Sequence, residues 1–144
     1  MTYDVRKLNI HDYDQLIGLW DRCGLPYRPK GRDSRELINL EMQRSETFFI
    51  GLFDSEKLIG FVLGTSDGRK GWINRLAIDP AYQRQGLGSF LIDECEKYLK
   101  DLGLKVIACL IEESNQASRA AFDKAGYELH NDILYFSKRT SIND

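Results

Sequence analysis

The chain has 144 residues, the size of one domain with its own hydrophobic core, and we predict a single domain over residues 1–144. Its formal net charge is −2, which argues against an overall basic surface that would bind nucleic acid or an anionic membrane. The N-terminus lacks the pattern of a signal peptide, and no apolar run is long enough to cross a membrane. Three cysteines without a CxxC spacing predict free thiols, no metal site and a cytoplasmic location.

The first half of the chain predicts two short helices and a strand meander. A strand over residues 3–8 precedes a helix over 12–22, which Gly24 ends. The second helix covers residues 34–45, and Asp33 is its predicted N-cap. Three strands joined by short polar turns follow, over residues 47–53, 57–65 and 71–78.

The second half predicts a long helix, a buried strand and a strand pair that closes the sheet. An apolar stripe at helical spacing predicts a helix over residues 86–102, and the apolar run 105–111 predicts a strand covered on both faces. A helix over 118–125 and closing strands over 127–129 and 133–137 complete the chain. The strand–helix–strand order implies a parallel pair with a right-handed crossover, hence an α+β sheet with helices on both faces.

A glycine-rich segment, Gln83-Arg84-Gln85-Gly86-Leu87-Gly88, opens the long helix directly after a predicted strand. Glycines at a helix start let a ligand approach the backbone, where the first-turn N–H groups have no intrahelical partners. This pattern predicts a phosphate or pyrophosphate site with a charge-assisted contact from the arginine. The segment is not a Walker loop, and it lacks the third glycine of a dinucleotide fingerprint. The alternative is a strand-to-helix turn that binds nothing.

Two sequence blocks carry a family resemblance. Gln83-x-x-Gly86-x-Gly88 resembles the Q/R-x-x-G-x-G/A signature of GCN5-related N-acetyltransferases (GNAT), and Asn115 opens a segment, NQASRAAFDKAGY, that resembles their N-x-x-A-x-x-x-Y-x-x-x-G-F/Y element. Two further segments, LWDRCGL and GTSDGRKGW, are similar to the YpeA-like subgroup. The resemblance implies a GNAT-like mixed sheet of six to seven strands and acetyl-CoA as cosubstrate.

The resemblance also implies which residues hold acetyl-CoA. The glycine-rich loop would take the pyrophosphate, and the preceding strand would pair with the pantetheine arm and offer a backbone N–H to the thioester oxygen. The second block would flank the arm. These cofactor residues are Leu76, Ala77, Ile78, Gln83, Arg84, Gln85, Gly86, Leu87, Gly88, Ser89, Asn115 and Phe122.

The catalytic residues depart from the family pattern. Phe122 stands where the family usually has a Tyr, the presumed acid for the leaving thiolate. Ser118, one helical turn earlier, or a water is the predicted replacement, unless the thiolate leaves unaided. Leu110 stands where some relatives carry a Glu base, which leaves Asp67, Glu112 and Glu113. We predict Asp67 as the base, with a plain hairpin turn as its alternative.

The acceptor is predicted to be a primary amine of a small molecule or a protein, bound at the end of the sheet that the first two helices cover. Predicted acceptor contacts are Trp20, Tyr27, Arg28, Trp72 and Asn74. Asp21 and Arg28 together leave the charge of the acceptor open. A homodimer is possible in this scheme. The alternative function is a non-catalytic acyl-CoA binding module with the same fold.

Overall fold

The sheet consists of five strands that lie side by side in chain order. A computed structural model describes residues 2–142. Its strands are β1 (Asp4–Lys7), β2 (Thr47–Asp54), β3 (Lys57–Ser66), β4 (Gly71–Ile78) and β5 (Ile107–Cys109). The first four strands pair antiparallel, and β5 pairs parallel to β4. The sheet is therefore mixed, as predicted.

Four α-helices cover the two faces of the sheet within the described residues: α1 (Tyr13–Arg22), α2 (Arg35–Met42), α3 (Leu87–Asp101) and α4 (Gln116–Lys124). Strands β2 and β3 are buried on both faces, so successive side chains enter two separate cores. One core contains α3 and Phe122 of α4, and the other contains α1 and α2. The prediction of an α+β fold with helices on both faces is confirmed. None of the described helices is both long and apolar enough to span a bilayer.

The prediction of six to seven strands is wrong, because the described part of the chain holds five. Residues 127–129 and 133–137 form no strand, and the side chains of Leu129, Ile133 and Leu134 are 70–76% exposed. A segment forms a β-strand only when its backbone hydrogen-bonds to a neighbouring strand. The predicted strand over 105–111 is shortened to the three residues of β5, which offer the tail very little edge to pair with.

The N-cap of α2 also differs from the prediction. Ser34 caps the helix, because its Oγ accepts the Leu37 N–H at 3.3 Å. Asp33 lies one residue earlier, with only 3% of its surface exposed, and accepts the Arg28 N–H at 2.7 Å. Its carboxylate therefore organises the loop before α2 rather than the helix end.

Close approach of α3 to β3 fixes the height of α3 above the sheet. A Cβ at Gly64 would overlap Cys95 Sγ and lie 3.6 Å from Leu99 Cδ1. Both α3 side chains are fully buried. The glycine is therefore required by packing.

Gly64→Ala should lower the free energy of unfolding by about 1–3 kcal/mol, since the added methyl group overfills this contact. Thermal unfolding of Gly64→Ala, Cys95→Ala and the double variant measures the coupling. The double variant should be more stable than Gly64→Ala, because removal of Sγ makes room for the methyl group. Losses that simply add would show that Gly64 does not set this contact.

Candidate active site

The open edge of β4 is the first component of the site. Strand β4 pairs with β5 only at Gly71, Trp72 and Ile73, after which the two strands separate. A β-bulge lies at this point. Leu63 of β3 is opposite Arg75 and Gly64 is opposite Ile73, so no β3 residue lies opposite Asn74. The bulge therefore coincides with the place where the sheet opens.

The direction of the backbone groups on this edge follows from one hydrogen bond. The Asp79 N–H donates to the Ile59 carbonyl of β3 at 2.8 Å. Since alternate residues of a strand present their N–H groups to opposite edges, the N–H groups of Leu76 and Ile78 face away from β3, toward the gap. Free N–H groups beside a cleft can bind a carbonyl oxygen or an extended ligand.

The second component is the N-terminus of α3. Gly86, at φ 77°, occupies the N-cap position and contributes no side-chain cap, so the first N–H groups of the helix stay available. Arg84 also has a left-handed φ, 65°. A Cβ at Gly88 would lie 3.6 Å from Ala121 Cβ and 3.8 Å from Leu76 Cδ2. The glycine-rich loop, β4 and α4 therefore converge on Gly88.

Buried polar contacts hold this loop in place. Asp79, 3% exposed, accepts the Ala81 N–H at 2.9 Å and Arg22 Nε at 2.8 Å. Burial alone would raise the pKa of Asp79, but these two donors outweigh it and hold that pKa below its usual value. Tyr82 Oη donates to Asp54 at 2.7 Å, and Tyr3 Oη donates to Gln85 Oε1 at 3.0 Å. These contacts fix the position of the loop relative to α1 and β2.

A cleft of about 620 Å³ runs from the gap between β4 and β5 to the loop between α1 and α2. On the side of the gap it is lined by Leu76, Cys109, Asn115, Ser118 and Phe122. Burial raises the pKa of Cys109 to about 11, so this side chain stays a thiol at neutral pH rather than a nucleophilic thiolate.

The α4 residues have clear structural contacts. Asn115 Oδ1 accepts the Ser118 N–H at 3.1 Å and so caps α4, while its amide nitrogen makes no hydrogen bond within the described residues. Phe122 is 4% exposed, and its ring meets that of Tyr127 edge-on at 5.0 Å. Tyr127 cannot replace the absent Tyr acid, because burial raises its pKa and its hydroxyl donates to Glu96 at 2.6 Å.

Asp67 lies at the β3–β4 hairpin and does not line the cleft. Its Oδ1 accepts the N–H groups of Lys70 and Arg69 at 2.7 and 2.8 Å, and its Oδ2 accepts Trp72 Nε1 at 3.1 Å. The Lys70 N–H, Trp72 and the Arg69 N–H hold the pKa of Asp67 at about 2, which makes it a poor base. The prediction of Asp67 as the base is therefore corrected to its alternative, a residue of a plain hairpin turn. Trp72 contacts that turn and does not line the cleft.

The predicted acceptor contacts divide into two groups. Asn74 and Trp20 line the cleft, although Trp20 is fully buried, with the Arg75 guanidinium 4.3 Å from its ring centroid. Tyr27 and Arg28 lie in the neighbouring loop without lining the cleft. The Tyr27 ring centroid is 6.0 Å from that of Trp20.

The sequence prediction missed a group of charged residues at the end of the cleft that α2 borders. Arg75 Nη2 lies 3.0 Å from Asp33 Oδ2, and Glu41 lines the same cleft. A signal was present for Glu41, since it follows Ile38 by one helical turn on the inward face of α2. The ion pair joins residues 42 positions apart, and no local pattern marks it.

Comparisons with known proteins agree with this geometry. The family model of the acetyltransferase (GNAT) family matches residues 12–127. Acetyltransferase SG1711 of Sodalis glossinidius (strain morsitans) is 27% identical over 136 residues, which cover 94% of this chain and 94% of that protein.

Solved structures are similar over nearly the whole fold. PaiA N-acetyltransferase from Thermoplasma acidophilum, in complex with coenzyme A, has a TM-score of 0.81 and 25% identity over 90% of this chain and 92% of its own. AAC(6′)-Iy in complex with a bisubstrate analogue has a TM-score of 0.80 and 16% identity, over 96% and 99% of the two chains, which is a likeness of fold alone. The chain therefore belongs to the acetyltransferase (GNAT) family and is an acetyl-CoA-dependent N-acetyltransferase.

Proposed function

We propose that acetyl-CoA lies across the opening of the sheet, with its pyrophosphate in the loop of residues 83–89. The available N–H groups at the start of α3 and the neighbouring Arg84 support this placement, since a helix N-terminus attracts anions. The pantetheine arm then follows the open edge of β4 at Leu76, Ala77 and Ile78, as an added strand would. The separation of β4 from β5 beside this helix start is the observation that carries the proposal.

At the thioester, the backbone N–H of Leu76 is suited to stabilise the oxyanion that forms when the amine attacks. Asn115 offers its unused amide nitrogen to the arm, and Phe122 contributes an apolar surface beside it. Phe122 has no proton to give, so the thiolate leaves unaided or takes a proton from a water or from the Ser118 hydroxyl. A thiol pKa of about 8.5 makes unaided departure feasible.

The acceptor in this proposal is a primary amine of a small molecule or a protein that enters from the loop between α1 and α2. Trp20 and Asn74 border this end, with Tyr27 and Arg28 at its rim. AAC(6′)-Iy, which has a similar fold, binds a bisubstrate analogue, and this supports an amine acceptor in the proposal. A protein acceptor, a homodimer, a cytoplasmic location and membership of the YpeA-like subgroup stay predictions.

Purified protein should bind coenzyme A in calorimetry and release free coenzyme A from acetyl-CoA with members of a panel of primary amines. Gly88→Asp should weaken coenzyme A binding by about tenfold or more, because it sets a carboxylate against the pyrophosphate. The fold should survive, since an acidic residue in the first helical turn favours the helix.

Ser45→Asp is the matched control, because it adds the same charge at an exposed turn remote from the loop. Equal affinity of wild type and Gly88→Asp would refute the assignment of the loop. Tight binding with no turnover of any amine would favour the non-catalytic alternative.

Asn115 variants separate the helix cap from the cofactor contact. Asn115→Ala removes both and should cost about 0.5–2 kcal/mol of stability. Asn115→Asp and Asn115→Ser keep a capping oxygen but lose the amide donor, so their Tm should stay near wild type while KM for acetyl-CoA rises. Wild-type KM in both capping variants would leave Asn115 with a structural role only.

Phe122→Tyr should change kcat by less than about tenfold, or about 1.4 kcal/mol, if the thiolate needs no side-chain acid. A small loss of Tm is also expected, because an unpaired buried hydroxyl costs about 1–3 kcal/mol. Steady-state kinetics and thermal unfolding test both points. An acceleration of a hundredfold would show that an acid is missing, and loss of activity in Ser118→Ala with unchanged coenzyme A affinity would identify its replacement.

A further inference from the structure

Glu41 is a charged residue on the inward face of a helix whose neighbouring positions are apolar. It follows Ile38 by one turn, and Ile38 is 2% exposed. Met42, four residues after Ile38, packs against the core formed with α1. Glu41 is only partly exposed and lines the cleft at its acceptor end. Burying a carboxylate costs free energy unless the charge is paired and hydrogen-bonded.

Two of the three arginines that act on Glu41, Arg75 and Arg32, are engaged by a different carboxylate. Asp33 lies 3.0 Å from Arg75 and 3.8 Å from Arg32, and it also accepts the Arg28 N–H. Glu41 makes no ion pair or side-chain hydrogen bond among the described residues. Burial, and secondarily the charge of Asp33, raises the pKa of Glu41, while Arg44, Arg75 and Arg32 oppose that rise. Its carboxylate is therefore both unpartnered and a stronger base than an exposed Glu.

Other charged groups face the same cleft from its far wall. Glu112 and Glu113 follow β5 and are exposed, and Arg139 belongs to the C-terminal tail. Among the four cleft-lining carboxylates, Asp33 is paired and two are exposed, which leaves Glu41 as the partly buried, unpaired one.

We propose that Glu41 is the general base of the acetyl transfer, taking a proton from the ammonium group of the acceptor. This inference rests on the proposed function, because it places the amine between Glu41 and the open edge of β4. It also favours acceptors that reach the site as ammonium ions, since the same carboxylate attracts the cation before deprotonating it.

The reaction balances as follows. One proton moves from the ammonium nitrogen to a Glu41 oxygen, and the freed electron pair on nitrogen attacks the thioester carbon. The C–N bond forms while the carbonyl π electrons move to oxygen. When the C=O bond re-forms, the C–S bond breaks and its electron pair leaves with the coenzyme A thiolate. The second nitrogen proton passes to the thiolate, directly or through water, and Glu41 returns its proton to solvent.

The test compares Glu41→Gln with wild type over pH 6–10, using an amine that wild type acetylates. At pH 7 the kcat of Glu41→Gln should be lower by about 10²-fold or more, the usual loss when a general base is removed. The deficit should shrink by about tenfold for each unit of rising pH, because neutral amine becomes more abundant up to its pKa of about 10.4. Wild-type activity should instead fall only as the pH drops through the Glu41 pKa, where the carboxylate is protonated.

Glu41→Asp, which keeps a carboxylate, should retain the wild-type form of the pH profile and part of the rate. Glu36→Gln is the matched control, since Glu36 is exposed on the same helix and should change nothing. Coenzyme A affinity should be unchanged in Glu41→Gln, and its Tm should be equal to that of wild type or higher, because the variant removes a partly buried, unpaired charge. A raised KM for the acceptor at every pH with normal kcat would overturn the assignment as a base, and so would a larger loss in Glu112→Gln or Glu113→Gln. Absence of turnover in wild type would instead count against the proposed function itself.

Discussion

The rest of the site depends on the separation of β4 from β5. Backbone N–H and C=O groups in a sheet need partners, and an unpaired edge is a template for any extended chain that can supply them. β4 is paired along β3 for its whole length but along β5 for only three residues. The bulge at Asn74 marks the point of departure, and α3 begins after the open edge, beyond a loop of residues 79–86 that contains a 3-10 turn. In the proposed binding mode, the ligand meets two kinds of unsatisfied N–H group along one path.

Two buried aspartates fix the opposite ends of that path. Asp79 joins the loop before α3 to Arg22 at the end of α1, and Asp33 joins the loop before α2 to Arg75 on β4. Each carboxylate accepts a backbone N–H as well as a guanidinium, which is what makes a buried charge tolerable. Removal of either partner would leave an uncompensated charge in the protein interior. The two ends of the cleft, which we propose bind the cofactor and the acceptor, are thus held by the same kind of interaction.

The sequence predicts local features of this fold better than long-range ones. Gly86 and Gly88 predict the glycine-rich start of α3, because the features of a helix start lie within a few consecutive residues. The strand meander is likewise visible from alternation and turn residues. The closing strands fail as predictions because the apolar residues near Leu134 carry strand propensity without a partner strand. The pairing of Asp33 with Arg75, and with it the isolation of Glu41, depends on contacts between distant parts of the chain. The misassignment of Asp67 has the opposite origin, since its turn geometry is local and was an open alternative.

The shortness of β5 gives the two walls of the cleft different mechanical character. One wall belongs to the four antiparallel strands, which have helices on both faces. The other wall is attached to the sheet only through the pairing of Ile107–Cys109 with β4 and through the contact of α4 with α3. Segments held by few hydrogen bonds and contacts open at a lower free energy than the global unfolding transition. The wall that carries α4 is therefore the more flexible of the two, while the wall built on β4 stays rigid. In the proposed binding mode, a bulkier acyl group would be accommodated by movement of the α4 wall alone. The amine would then approach the thioester from a fixed direction, set by the rigid wall.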